Sequence, residues 1–194
     1  MINKADCPTS KAPQAPSSLK LLIVSAFFAA LTAVFSQIAL PLPFTPVPIN
    51  LATLSVFLAG SLLGPRYGAA SQLIYLGLGL VGVPVFSQFT GGPAIVLGPT
   101  GGYIIGYALA ALTIGVLFER SASPRRRPLP EILFYAVGLL ACYIPGTLWF
   151  MFQTQTPLLP SLTLCVFPFL PGDGIKIAAA FLVSRRLRPA LRRV

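Results

Sequence analysis

From Leu21 to Leu40 the chain carries no charge, and the remainder repeats that pattern, with apolar runs separated by short segments rich in proline, glycine or arginine. About 20 apolar residues in a helix cross a hydrocarbon core, so Leu21–Leu40 is predicted as a first transmembrane helix. Uncharged stretches follow at Leu51–Gly64, a short span, and at Tyr67–Phe86, Gly101–Phe118 and Ile132–Gln153. The last apolar region, Leu158–Val183, is broken at Pro171-Gly172 and carries Asp173 and Lys176. Proline followed by glycine suits a helix start better than a helix interior. A re-entrant or loop segment is therefore predicted at Leu158–Leu170, and a sixth helix from about Pro171. The fold class expected is an all-α integral membrane protein, a bundle of six transmembrane helices over residues 19–188. A polar segment at 1–18, rich in Pro, Ser and Lys, reads as a disordered tail, and residues 189–194 read as a basic tail. The first apolar run is too long for a signal-peptide core and ends at no convincing small-x-small site. No apolar stretch precedes Cys7, which argues against a lipid-anchored start.

Charge placement gives the predicted spans a direction. Thirteen of the 14 basic residues fall before helix one, at Arg66, between helices four and five, or after helix six, all on one side of a six-span bundle. The opposite connections, Pro41–Asn50, Ser87–Thr100 and Thr154–Pro157, contain no charge. The positive-inside rule then puts both termini in the cytoplasm. Composition agrees with a membrane chain: 55% hydrophobic and 9% charged residues, with a mean hydropathy of +0.82. A soluble domain carries about 25% charged residues. The net charge of +10 would suggest nucleic acid in a soluble protein, but topology accounts for it here.

The same composition excludes much chemistry. Histidine is absent, which removes Ser-His-Asp and Cys-His catalysis and imidazole proton shuttles. Of the four acids, Glu119 and Glu131 sit beside basic residues of one loop, so paired-carboxylate chemistry is not expected. Three cysteines without Cys-x-x-Cys spacing support neither a disulfide framework nor a zinc site, and read as small buried hydrophobes. An enzyme is not expected, and neither is a metal.

The chain's 17 glycines and 20 prolines cluster where the predicted helices end. Gly60-x-x-x-Gly64, Gly102-x-x-x-Gly106 and the alanine pairs Ala26/Ala30 and Ala29/Ala33 each put small residues on one helix face. Such a face serves packing within the bundle or docking of another membrane subunit. The connection Pro41–Asn50 holds four prolines and should be a stiff, extended strap, either covering a pocket or lying on the lipid interface. Gly91-Gly92-Pro93 and Gly98-Pro-Thr-Gly-Gly-Tyr103 suit tight turns or backbone N–H groups aimed at an anion. There is no Gly-x-x-x-x-Gly-Lys-Ser/Thr loop, so the chain does not itself hydrolyse ATP.

Asp173 and Lys176 are three residues apart and share one helix face. Lys176 is the single basic residue that topology does not place in the cytoplasm. Charges within a membrane are costly and face a cavity or a partner. The pair reads either as a helix cap with a snorkelling lysine or as the polar floor of a pocket roofed by the uncharged loops. The second reading suits a small solute with an apolar body, an N–H donor for Asp173 and an acceptor or anion for Lys176.

Five segments, Pro46-Val-Pro-Ile, Leu63-Gly-Pro-Arg-Tyr-Gly68, Gly82-Val-Pro-Val-Phe86, Leu97-Gly-Pro-Thr-Gly-Gly-Tyr103 and Phe169-Leu-Pro-Gly-Asp-Gly-Ile-Lys176, resemble the BioY family. These are biotin-binding membrane subunits, or S components, of energy-coupling factor (ECF) transporters, and the resemblance runs from about Leu21 to Arg188. It implies a six-helix S-component bundle in a bacterial-type cell membrane that captures biotin from outside. A coupling transmembrane subunit and a pair of ABC-type ATPases would be partners, with biotin as transported ligand, no cofactor and no nucleic acid. It also implies a ligand contact for Asp173 with a ureido N–H, and one for Lys176 with the ureido oxygen or a carboxylate. Tyr103 would be an aromatic wall, and Ala29 and Ala33, with Ala26 and Ala30, the coupling-subunit face. Relatives usually read Thr-Leu-Gln where this chain has Asn50-Leu51-Ala52, so a polar group is lost or moved to Asn50. Some carry arginine directly after Gly-Gly-Tyr, where this chain has Ile104. Lys176, Gln88, Thr90 or backbone N–H groups would then serve a ligand carboxylate. Rival expectations are an S component for another vitamin and a structural or assembly membrane protein.

Overall fold

A computed structural model describes residues 18–41, 43, 45, 47–121 and 128–191. The expected N-terminal tail with Cys7, Pro46, the arginines at 125–127 and the last residues of the basic tail lie outside the described residues. The chain is mostly helical. Helix α1 runs Ser18–Gln37. The ends of the proline strap pair as a short antiparallel ribbon, β1 (Ala39–Leu40) with β2 (Ile49–Asn50), in the register Ala39 to Asn50. Then come α2 (Ala52–Leu80), α3 (Pro93–Leu97), α4 (Gly101–Arg120), α5 (Pro128–Thr154), α6 (Leu158–Cys165) and α7 (Leu170–Leu191).

Helix α2 is not one rod. Gly64 has φ +78°, a left-handed conformation that glycine adopts without a Cβ clash, and Pro65 follows it inside the helix. The Thr32 and Ser55 hydroxyls lie 2.9 Å apart, and the Gln72 amide donates to Thr32 at 3.3 Å. On a straight helix Ser55 and Gln72 would stand about 25 Å apart at 1.5 Å per residue, so the halves fold back along each other. This reversal falls between the predicted spans Leu51–Gly64 and Tyr67–Phe86. The second half stops at Leu80 rather than Phe86, because Gly82 turns the chain at φ +102°. The connection after it, expected as a plain loop, contains a 3-10 turn at Ser87–Phe89 and the short helix α3.

Small residues set the helix spacing. A Cβ at Gly60 would meet the Ala111 carbonyl oxygen of α4 at 2.6 Å, and one at Gly106 would meet that of Cys142 in α5 at 2.9 Å. These positions of the two glycine motifs are therefore used for packing within the chain, while Gly64 makes a turn. Ala29 is buried inside the bundle, Ala33 is half-buried, and Ala26 and Ala30 face outward.

Among the described residues three helices, Leu19–Gln37, α4 and α5, are long and apolar enough to cross a membrane. The pair Leu158–Cys165 and Leu170–Pro189, bent by 53°, makes a fourth if counted as one span. That bend is where a re-entrant or loop segment was expected, and α7 begins one residue before Pro171.

One expectation needs correcting. Glu119 and Glu131 do not lie in a loop: Glu119 belongs to the last turn of α4, and α5 begins at Pro128, so Glu131 sits in its first turn with a side chain only 3% exposed. Arg185 Nε and Arg188 Nη1 of α7 approach its carboxylate at 3.5 and 3.7 Å. The Arg188 guanidinium also lies 3.8 Å from the centre of the Phe118 ring of α4, and its Nε donates to the Ser61 carbonyl at 3.2 Å. That carbonyl has no intrahelical partner four residues on, because residue 65 is a proline without an N–H. Four helices thus meet in one cluster at the arginine end of the bundle.

Candidate ligand-binding site

At the other end, where the ribbon lies, the helices enclose a cavity of about 420 Å³, within the range of small-molecule sites. Its charged wall comes from the first turns of α7. Asp173 is in the first turn, where the aligned peptide dipoles favour an anion. Lys176 lies one turn later, with Nζ 2.9 Å from Asp173 Oδ1. The Tyr143 hydroxyl of α5 donates to Asp173 Oδ2. The side chains of Lys176 and Asp173 are 7% and 3% exposed. The pair is therefore buried, yet both residues line the cavity.

An ionised carboxylate has about four acceptor positions and an ammonium three donors. With one donor on each Asp173 oxygen, both oxygens keep acceptor capacity, and Lys176 keeps N–H groups beyond the one given to Asp173. The pair can therefore bind one donor and one acceptor of a solute together. Burial raises the strength of such contacts and the cost of leaving them unmade.

The cavity's other walls are aromatic. Tyr75, Phe86, Tyr103, Tyr107 and Phe169 line it. Tyr75 and Phe86 pack edge-on at 5.5 Å, and Tyr103 and Tyr143 at 6.3 Å. The Tyr103 hydroxyl is 3.1 Å from that of Thr147, which fixes the ring's direction. Gly146 makes room for that ring: a Cβ there would fall 2.3 Å from Tyr103 Cδ1.

The two charge-free loops supply the remaining lining. From the proline strap come Pro41, Thr45, Val47, Pro48 and Asn50, and from the second loop Ser87, Gln88 and Thr90. The strap therefore lies over the pocket, one of the two places expected for it. Asn50 joins the loops, its Nδ2 donating to Ser87 Oγ at 2.8 Å while its Oδ1 accepts the Ala52 N–H at 3.1 Å. Gln37, at the end of α1, holds the second loop by donating to the Val85 and Phe86 carbonyls at 3.2 and 3.0 Å and accepting the Phe89 N–H at 2.9 Å.

All six residues expected to contact a ligand, Asp173, Lys176, Tyr103, Thr90, Gln88 and Asn50, line this one cavity. Asn50 also spends its amide on loop structure. Sequence reasoning missed Tyr143, Tyr107, Tyr75 and Thr53, whose Oγ1 is buried without a hydrogen-bond partner among the described residues. Tyr143 sits in an unbroken apolar run, and nothing local marks its hydroxyl as aimed at another helix. Cys142 and Cys165 are buried as expected, and they line the cavity as well.

A helical bundle with membrane-length apolar helices and an internal cavity, walled by aromatic rings and one buried ion pair, belongs to the class of membrane proteins that hold a small solute. The model of the BioY family matches residues 9–193, and the chain belongs to that family. It is 48% identical over 139 residues to a probable biotin transporter BioY of Lysinibacillus sphaericus, covering 69% of each chain. It is 35% identical to the biotin transporter BioY of Lactococcus lactis, covering 88% of this chain and 91% of the relative. A crystal structure of the S-component for biotin from an ECF-type ABC transporter superposes with a TM-score of 0.83 at 35% identity, covering 92% of this chain and 95% of that one.

Proposed function

We propose that this chain is a biotin-capturing S component that takes part in biotin uptake across the cell membrane. The observation that carries the reading is the buried Asp173–Lys176 pair, backed by Tyr143, on the wall of a cavity of about 420 Å³. A ureido group presents N–H donors and a carbonyl acceptor side by side. Asp173 accepts one N–H and Lys176 donates to the oxygen, while the apolar ring system and chain lie against Tyr75, Phe86, Tyr103 and Tyr107. Thr90, Gln88 and Asn50 complete the site from the loops. The solute is held unaltered, since no nucleophile in the cavity has a histidine base.

In this reading the bundle has six spans, counting the two halves of α2 separately and α6 as a re-entrant segment, with both termini in the cytoplasm. The positive-inside distribution of arginine and lysine supports that direction. Energy comes from a coupling transmembrane subunit and a pair of ABC-type ATPases. That fits a chain without a phosphate-binding loop, and one whose relatives include the S-component of an ECF-type ABC transporter. Helix α1 is the proposed contact with the coupling subunit. Ala26 and Ala30 form its outward small-residue face, while Ala29 and Ala33 act from behind by letting α1 sit close to its neighbours.

Binding of labelled biotin to the detergent-purified chain tests the proposal, together with mass spectrometry of co-purified ligand. Saturable one-to-one binding that unlabelled biotin displaces is the expected result. Saturable binding of a different vitamin, or of none, refutes it.

A further inference from the structure

Biotin carries a carboxylate on a flexible tail, yet the described lining of the cavity offers that anion no free cation. Among the described lining residues Lys176 is the sole positive charge, and it already pairs with Asp173. The described arginines of α4 and α7, Arg120, Arg185, Arg186 and Arg188, lie toward the ends of those helices opposite the ones that line the cavity. The strap residues outside the described set, Leu42, Phe44 and Pro46, are uncharged. The lining is therefore electrically balanced before any ligand enters.

Neutral donors stand where the two loops line the cavity. Gln88 is exposed and lines it, on a backbone with φ +61°, followed by Phe89 at +55°. Two successive left-handed residues that are not glycine are unusual and persist only where the surroundings hold them. Gln37 does so through its three bonds to the loop. The Thr90 hydroxyl is committed to the Ser87 carbonyl at 2.9 Å, whereas the Gln88 side chain lines the cavity from an exposed position.

We infer that this site reads the head of its ligand and is nearly indifferent to the charge on the tail. Asp173 and Lys176 are both used on the ureido group, and the tail ends in solvated contact with Gln88. The chain should accept biotin derivatives whose carboxylate is neutralised, such as the primary amide or the methyl ester. This inference rests on the biotin reading and adds a specificity to it.

The test compares dissociation constants of biotin and biotinamide for the purified full chain at low and high salt. Expected are values within about fivefold of each other and little change with salt, since a tail in water is screened rather than ion-paired. Gln88→Lys should tilt the ratio toward biotin and Gln88→Glu toward biotinamide, each by a few-fold, the size of an exposed charge pair. Biotinamide binding more than about 50-fold weaker than biotin would overturn the inference, as would a ratio that both Gln88 variants leave unmoved. If biotin itself does not bind, the proposed function falls instead, which is a distinguishable result.

Discussion

The bundle has a buried carboxylate with cationic partners at each end, and the two are built differently. Asp173 takes its lysine from one turn along the same helix, at 2.9 Å, and the pair borders empty space. Glu131 takes its arginines from another helix at longer range, 3.5 and 3.7 Å, and those arginines also lie over the Phe181 and Phe118 rings. Both acids sit in the first turn of a helix, so the local electrostatics are alike. What differs is what the cation does besides pairing. Arg188 ties α7 to α2, α4 and α5, while Lys176 keeps donors facing the cavity. A buried ion pair that joins elements is a structural fixture; one made within a single element, beside a cavity, is free to serve a solute.

Four substitutions break or sharpen that contrast. Lys176→Ala should have the largest effect, weakening biotin on the order of 100-fold or more, because it removes a donor and leaves Asp173 without its cation. Equilibrium binding checks this. Unchanged affinity would remove the pair from the site. Arg188→Ala should cost stability instead, about 2–4 kcal/mol, since Glu131 loses a partner and the Ser61 carbonyl its donor. A thermal-unfolding midpoint lower by several degrees, with affinity in the folded fraction near that of the parent, is the expected pattern. Tyr143→Phe should weaken biotin about tenfold, the scale of one charge-assisted hydrogen bond. It should lower the unfolding midpoint less than Arg188→Ala does, because Lys176 still pairs with Asp173, which separates positioning of Asp173 from support of the bundle. Gln37→Ala should have the smallest effect, a loss of about threefold in affinity through a loosened second loop, read by the same binding assay.

Much of this was legible in the chain. Asp173 and Lys176 stand out because charges are rare in an apolar run, and the reversal at Gly64-Pro65 separates two runs that each read as a span. Gln88, Thr90 and Asn50 could be found because the loops bearing them hold few other polar side chains. What could not be read has a common physical cause: hydropathy records whether a side chain avoids water, not which neighbour it meets. Val81–Phe86 is as apolar as a helix end, yet it packs as a turn under Gln37. Tyr143 and Tyr107 look like core aromatics, and only the approach of α4, α5 and α7 makes them cavity walls. Glu131 reads as part of an arginine-rich loop until α5 is seen to begin before it. The topology rule assigned Arg188 a side of the membrane, but its bond to Ser61 depends on a proline 123 positions earlier in the chain.

The bond from Asn50 to Ser87 has a kinetic meaning. It joins the two loops over the cavity, one of them stiffened by proline and clasped at its base by the β1–β2 ribbon. A solute that passed between the two loops would have to break this contact first. Asn50→Ala removes that bond and should speed departure about fivefold in a stopped-flow chase, the scale of one neutral hydrogen bond.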